Sequence, residues 1–279
     1  MATTTPVAVT GVTGALGGQV SRALTDAGVP LRLLVRTPSK APELPGATVE
    51  RFDYSDQNDC ERALSGVRTL FFVSGAENEH RLAQHRNVVD AAAAAGVQHV
   101  VYTSFVGASP TCTFTLGRDH YATEEFVRER GLTHTFLRDN FYQDLLPYFV
   151  GDDGIIRGPA GDGRAAFVAR ADIARVATAV LLDPDAHANR TYDLTGPEAL
   201  TLNEVATILT AGLRRSVSYV DETLPEAYES RAHYGAAGWQ VDAWVSTYTA
   251  IRAGELETVS GDIESLTGRP ATSLAQLLG

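Results

Sequence analysis

The sequence predicts an α/β fold built on a doubly wound parallel sheet. Two observations carry that prediction. Short apolar, β-branched runs alternate with segments of helical spacing through residue 140. Near-continuous apolar strands alternating with helices indicate a parallel sheet covered on both faces. In addition, a glycine-rich turn, TGVTGALGG (10–18), joins the first apolar run to the first helix.

Taken in order, PVAVTG (6–11) is the first strand. LGGQVSRALTDAG (16–28) is the first helix, with Leu16, Val20, Ala23, Leu24 and Ala27 at helical spacing and a stop at Gly28. LRLLVR (31–36) and TVERFD (48–53) are strands, QNDCERALSG (57–66) is a short helix, and TLFFVSG (69–75) is the fourth strand. EHRLAQHRNVVDAAAAAG (79–96) is a long helix ending at a glycine, and HVVYTS (99–104) is the fifth strand. A loop with Pro and Gly leads to the helix RDHYATEEFVRERG (118–131) and the sixth strand THTFLRDN (133–140). Beyond it the pattern loosens. DDGIIRGPAGDGRAAFVAR (152–170) is turn-rich with a short strand, ADIARVATAVLLD (171–183) is a helix and RTYDLTG (190–196) a strand. TLNEVATILTAGL (201–213) places Thr201 three residues before Glu204, a capping-box signature, and the remainder reads as mostly helical.

Bulk composition narrows the function. The 279 residues are 44% hydrophobic and 20% charged, with a net charge of −11. That balance disfavours nucleic acid, which calls for a basic patch, yet backbone amides and one or two arginines still suffice for an anionic cofactor. Cys60 and Cys112 lack CxxC spacing and read as packing residues. His80 and His85, five apart, lie about 140° apart around a helix, so no metal site is expected. The start, MATTTPVAVTG, has no basic and apolar leader pattern, and no apolar run reaches the ~18 residues that span a bilayer. A cytoplasmic enzyme with no membrane partner is the expectation. Oligomeric state is left open, a homodimer being one arrangement the sequence allows.

The glycine turn is the strongest chemical signal. Gly11, Gly14 and Gly17 have G-x-x-G-x-x-G spacing after a strand and at a helix start, the context of a dinucleotide site in a Rossmann sheet. Gly11 permits the tight turn, Gly14 lets backbone approach a pyrophosphate, and Gly17 lets the helix pack on the strand. With Thr13, Ala15 and Leu16 they form the candidate phosphate loop, whose helix start offers free N–H groups. The second strand ends at Arg36, followed by Thr37, Ser39 and Lys40, where an acidic residue would favour NAD. A guanidinium there suits a 2′-phosphate, so NADP(H) is the expected cofactor. Asp53 and Tyr54 would border the adenine, although Asp53 serves equally as a turn residue. Val73, Ser74 and Gly75 end the fourth strand with mostly small side chains, which would let a cofactor cross the sheet edge or simply make a turn.

The helix after the fifth strand poses the mechanistic question. Many reductases place a lysine four residues after a tyrosine on this helix, but Tyr121 is followed by Glu125. Lys40 is the only lysine in the chain and lies far away in sequence. Ser104 is a candidate to bond a substrate carbonyl, or merely caps its strand. His120 and Glu124 share a helix face and form either a pocket-lining pair or a solvated one.

Together, TGVTGALG, LVRTPSK, DYSD, VVYTSF, the HYATE run and FLRDNFYQDLLP resemble the NmrA-like family of atypical short-chain dehydrogenases/reductases. The likeness is strongest to the branch of type 2 quinone oxidoreductases and triphenylmethane reductases, and it runs nearly end to end. It implies a Rossmann NADP(H)-binding domain over 1–150, with 164–196 returning to it, and a smaller, mostly helical substrate lobe over 151–279. It also implies that Asn140, Phe141 and Tyr142 lie close to the nicotinamide. Members of this branch often lack the Tyr-x-x-x-Lys pair. The expected activity is hydride transfer from NADPH to a small conjugated acceptor such as a quinone, which needs no strong general acid. His120, Tyr121 and Ser104 are the candidate catalytic residues. Two other readings stand beside it: a non-catalytic NADP(H) sensor, and a carbonyl or imine reductase.

Overall fold

The structure is a computed structural model and describes residues 5–279. In chain order its first elements are β1 (Val7–Val9), α1 (Ala15–Asp26), β2 (Leu31–Val35), β3 (Thr48–Arg51), α2 (Gln57–Leu64), β4 (Thr69–Phe72), α3 (Arg81–Ala94), β5 (His99–Phe105), α4 (Thr115–Glu129) and β6 (Thr133–Asp139). There follow β7 (Ile155–Gly158), β8 (Arg164–Ala165), α5 (Arg170–Leu182), β9 (Arg190–Leu194), β10 (Leu200–Thr201), α6 (Leu202–Leu213) and β11 (Ser218–Asp221). The chain ends with α7 (Leu224–Arg231), α8 (Gly238–Arg252), α9 (Asp262–Thr267) and α10 (Leu274–Leu278).

The chain divides into two compact units. Unit 1 comprises residues up to Ser104, Tyr121–Arg138 and Ile173–Tyr192, and unit 2 comprises Phe105–His120, Asp139–Asp172 and Asp193–Gly279. The division differs from the one expected at residue 150. Segments 105–120 and 139–150 pack with the later residues, and 173–192, rather than 164–196, returns to the first unit. The physical reason is aromatic: Phe105, Phe114 and Leu146 join Phe167, Leu202 and Tyr248 in a single buried cluster.

Unit 1 holds the main sheet, in the order β3-β2-β1-β4-β5-β6-β9. The pairs β1–β2, β1–β4, β2–β3 and β4–β5 are parallel, with Val7 opposite both Leu31 and Thr69. Strand order reverses direction at β1 and β4, and loops at the carboxyl ends of strands flanking such a reversal are where open α/β sheets take their ligands. All four residues of β4 are buried, while those of β3 at the edge are all exposed. Charged Glu50 and Arg51 on that edge discourage pairing with another chain. The core of the unit gathers Phe72, Tyr102, Phe136, Leu64 and Val88.

Unit 2 is mostly helical, with two small sheets, β8–β10 and β7–β11. The Thr201 capping box is formed as the sequence predicts, with the Glu204 side chain accepting from the Thr201 amide. The strand β11 was not anticipated. Ser-Tyr-Val-Asp is short and polar, and it becomes a strand by pairing in parallel with β7.

Candidate functional site

The site in unit 1 begins where β1 ends. Gly11 adopts φ +65, and a Cβ built on it would lie 3.0 Å from the Val73 side chain. A Cβ on Gly17 would lie 2.5 Å from the Gly11 carbonyl oxygen, so α1 packs against the turn only because residue 17 has none. Gly14 differs from both: a Cβ there meets only the Gly11 carbonyl, at 3.3 Å, and its outer side is open. It is the N-cap of α1, with no side-chain cap and no acidic residue in the first turn. Gly18 is the first amide of the helix to find a carbonyl, that of Gly14 at 3.1 Å. The amides of Ala15, Leu16 and Gly17 therefore stand at the positive end of the helix dipole with no carboxylate competing for them. The Leu16 side chain is buried, so its contribution to a ligand is its amide.

The facing wall is the segment after β4, and its amides are all engaged. The Val73 amide donates to Thr10 Oγ1 at 2.8 Å, the Ser74 amide to Thr103 Oγ1 at 2.8 Å, and the Gly75 amide to His85 Nε2 at 2.8 Å. The Tyr54 hydroxyl donates to the Val73 carbonyl at 2.8 Å, and Arg81 Nε donates to that of Gly75 at 3.0 Å. Burial, and Arg81 beside it, hold His85 well below the usual imidazole pKa, so it is neutral and free to accept at Nε2. Burial raises the Tyr54 phenol above its ordinary range, which keeps it a donor. Val73, Ser74 and Gly75 thus offer a ligand carbonyls and van der Waals surface, and no free amide.

Between these walls lies a cleft of about 290 Å³ lined by Gly11, Thr13, Arg36, Asp53, Tyr54 and the 73–75 segment. Arg36 is exposed at its rim and, among the described residues, makes no hydrogen bond or ion pair. Asp53 keeps its turn role as well, since its Oδ1 accepts from the Ser55 amide at 3.0 Å. Gly14, Ala15, Leu16 and Gly17 lie beside the cleft and not in its lining, and Lys40 is farther from the expectation. It lies exposed in a 3-10 turn (Pro38–Lys40) and does not line the cleft. Ser55, Asn78 and Gln84 do line it, although nothing in their sequence context marks them.

Ser104 does not present a hydroxyl to a substrate. It is 2% exposed and donates to Glu124 Oε1 at 2.6 Å. Glu124 is fully buried and also accepts from Arg138, Nε at 2.9 Å and Nη2 at 2.8 Å, and from Arg128 at 3.2 Å. The expected carbonyl-binding role of Ser104 is therefore corrected to a structural one, because its single proton is committed to a buried carboxylate. Glu125, in the position of the missing lysine, is half-exposed and pairs with Arg128. Tyr121 is half-buried and makes no hydrogen bond among the described residues.

The remaining candidates belong to unit 2. His120 is buried with its ring 6.1 Å from that of Phe105, and Phe141 packs 5.0 Å from both Phe105 and Phe114. The Asn140 side chain is spent on backbone, donating to the Leu256 carbonyl at 3.0 Å and accepting from the Phe141 amide at 2.7 Å. A residue that went unremarked precedes it. Asp139 is buried, accepts the Tyr142 hydroxyl at Oδ2 (3.0 Å), and has no partner at Oδ1. Burial drives its carboxyl well above the usual value, against the opposing pull of the Tyr142 bond. No cluster of three or more His, Cys, Asp or Glu suited to a metal occurs among the described residues.

The comparison with known proteins is decided by a family model, that of the NmrA-like family, which matches residues 3–260. The chain belongs to the NmrA-like family. Within it, quinone oxidoreductase 2 of Escherichia coli is 33% identical over 97% of this chain and 96% of its own. The NAD(P)H azoreductase of Xenophilus azovorans is 33% identical over the same shares. The crystal structure of the E. coli NADPH-dependent quinone oxidoreductase complexed with NADPH superposes with a TM-score of 0.88 at 32% identity, covering 98% of each chain. That of Citrobacter sp. triphenylmethane reductase complexed with NADP(H) gives 0.85 at 31% identity, again covering 98% of each.

The unit 1 site of this NmrA-like chain suits such a coenzyme on its own geometry. Three unsatisfied amides and an open cradle at Gly14 suit a pyrophosphate, and an unpaired guanidinium at the end of β2 suits a 2′-phosphate.

Proposed function

We propose that this chain is an NADPH-dependent reductase that transfers hydride to quinone-like or other conjugated, electron-poor small molecules. The observation that carries the reading is the pairing of two features in unit 1: a helix start with free amides at Ala15, Leu16 and Gly17, and Arg36 unpaired on the rim of the cleft that Gly11 and Thr13 of the preceding turn line. The printed activities of the quinone oxidoreductase, the azoreductase and the triphenylmethane reductase it resembles agree with it.

When bound, NADPH supplies the hydride. The residues of the chain bind and orient. The α1 amides hold the pyrophosphate, Arg36 the 2′-phosphate, and the 73–75 segment walls the path along the sheet edge. What unit 1 does not build is an activated phenol. Tyr121 has no lysine four residues on, and the residue there, Glu125, is engaged with Arg128. A ketone reductase must protonate a developing alkoxide, whereas a quinone becomes a stabilised phenolate-type anion and takes its proton from water. The arrangement therefore supports positioning chemistry on conjugated acceptors over simple carbonyl reduction. The same relatives argue against a purely sensory role.

The test is to mix the protein with NADPH and a panel of quinones and follow the nicotinamide absorbance. Turnover with quinones and none with simple ketones is expected. Tight NADPH binding with no turnover on any acceptor would overturn the reading.

A further inference from the structure

Both backbone groups of Gly75, in the wall after β4, are held by one helix. Arg81 and His85 stand one turn apart on α3. Arg81 Nε donates to the Gly75 carbonyl at 3.0 Å, and His85 Nε2 accepts from the Gly75 amide at 2.8 Å. The approach is close enough that a Cβ on Gly75 would lie 3.2 Å from His85 Nε2 and 3.4 Å from the Tyr54 ring. The imidazole itself is fully buried. The rings of Phe72 and Tyr102 stand edge to face against it, at 5.2 and 5.9 Å, and fix its plane.

The bond from Gly75 settles where the ring carries its proton. Burial keeps the imidazole neutral, and Nε2 accepts, so the hydrogen is on Nδ1. Nδ1 lies 2.8 Å from Thr123 Oγ1 and is the donor of that pair. Thr123 is fully buried on α4, and the next residue of the helix, Glu124, takes the Ser104 hydroxyl at the end of β5. One turn of α4 is thereby bonded to α3 through His85 and to β5 through Ser104, all within unit 1. Thr123 does not line the cleft. Without its acceptor, the ring hydrogen is free to move to Nε2, where it would face the Gly75 N–H, donor against donor.

We propose that His85 is a positioning residue for the coenzyme: Thr123 fixes it as the Nδ1-protonated tautomer, and only in that form does it seat Gly75 and the 73–75 wall. The inference rests on the reading of the unit 1 cleft as the NADPH site. It makes coenzyme affinity depend on a hydroxyl that does not line that cleft.

Long-range proton–nitrogen NMR spectra and calorimetric titration with NADPH test it together. At neutral pH the wild-type spectra should show His85 protonated at Nδ1 and bare at Nε2. Thr123→Val keeps the side chain's shape and removes the acceptor. It should populate the Nε2-protonated form and weaken NADPH on the order of fivefold, the worth of one neutral hydrogen bond. His85→Leu, which leaves the Gly75 amide without an acceptor, should weaken it by about tenfold or more. Thr123→Ser restores the hydroxyl, and His85→Gln restores an acceptor and a donor on one side chain. Both should bind NADPH within roughly twofold of wild type. A wild-type ring protonated at Nε2, or unchanged affinity in both Thr123→Val and His85→Leu, would overturn the proposal. So would Ser and Gln variants as weak as the Val and Leu ones, which would mark a packing role. If His85→Leu fails to fold, Thr123→Val decides alone. Wild-type protein that binds no NADPH defeats the reading of the cleft itself, a result distinct from binding that ignores the variants.

Discussion

Ser104 gives its hydroxyl proton to Glu124, Oγ to Oε1 at 2.6 Å, at the end of the strand where a substrate carbonyl was expected to find a donor. The bond belongs to a buried carboxylate already gripped by two arginines. Ser104→Ala should cost about 2 kcal/mol, the size of one hydrogen bond to a charged group. Its rate with quinones should fall far less than the 10²–10⁴-fold that accompanies loss of a general acid. Glu124→Gln should cost roughly 3 kcal/mol, the low end for breaking a buried ion pair, because Arg128 and Arg138 are 37% and 23% exposed. Urea unfolding and steady-state kinetics on the same samples check both numbers.

Arg36→Ala should weaken NADPH by about 10- to 100-fold and leave NADH nearly unchanged, since one charge-assisted contact to the 2′-phosphate is removed. Calorimetric titration with both coenzymes decides the matter, and equal weakening of the two would refute the assignment.

Gly14 and Gly17 should fail in different ways. Gly14→Val meets only the Gly11 carbonyl, 3.3 Å from its Cβ, so the protein should fold with a modestly lowered melting temperature and lose coenzyme affinity by more than about 100-fold. Gly17→Val drives its Cβ into the Gly11 and Thr10 carbonyls, so it should be lost to unfolding before affinity is an issue. Circular dichroism melts beside binding titrations separate the two.

Acid should destabilise the fold through His85 and His99. Burial holds the first well below its ordinary value, and burial also pushes the second down to about 4. Below the unfolded value near 6.5 the unfolded chain takes up protons that the native state refuses. Stability contributed by these rings is thus complete above that pH and falls as pH drops, by up to about 1.4 kcal/mol per pH unit for His85. His85→Gln, which retains an acceptor for the Gly75 amide, should flatten that slope in urea titrations between pH 7 and 5. An unaltered slope would show that His85 is not the source.

Asp139 acts on the opposite limb. Its folded carboxyl titrates above the unfolded value, so its contribution is complete below pH 4 or so and declines as pH rises through the folded value. Asp139→Asn, uncharged throughout, should be more stable than wild type at pH 8 by on the order of 1 kcal/mol, with the difference shrinking toward pH 5. Denaturation curves at the two pH values test the sign.

How much of this was legible in the residues depends on how far apart the interacting groups lie. The alternation through β6, the glycine turn and the Thr201 capping box are local patterns, and each was readable. The hydroxyls of Thr10 and Thr103 were not, because their partners Val73 and Ser74 lie 63 and 29 residues away. Asp139 was in plain view inside FLRDNFY, yet its significance comes from burial, which no spacing reports. The misplaced unit boundary has the same origin. Phe105 continues β5 without interruption, and only its packing on Phe114 and Phe141 assigns it elsewhere.

The wall after β4 carries one more implication. All three of its amides and two of its carbonyls are already satisfied by the protein, so the segment arrives ordered before any coenzyme does. Docking then pays no entropy for freezing that stretch, and departure requires no unlatching of it. The pace of coenzyme exchange should accordingly be governed by the phosphate grip at the opposite side, where Arg36 and the helix amides wait without partners.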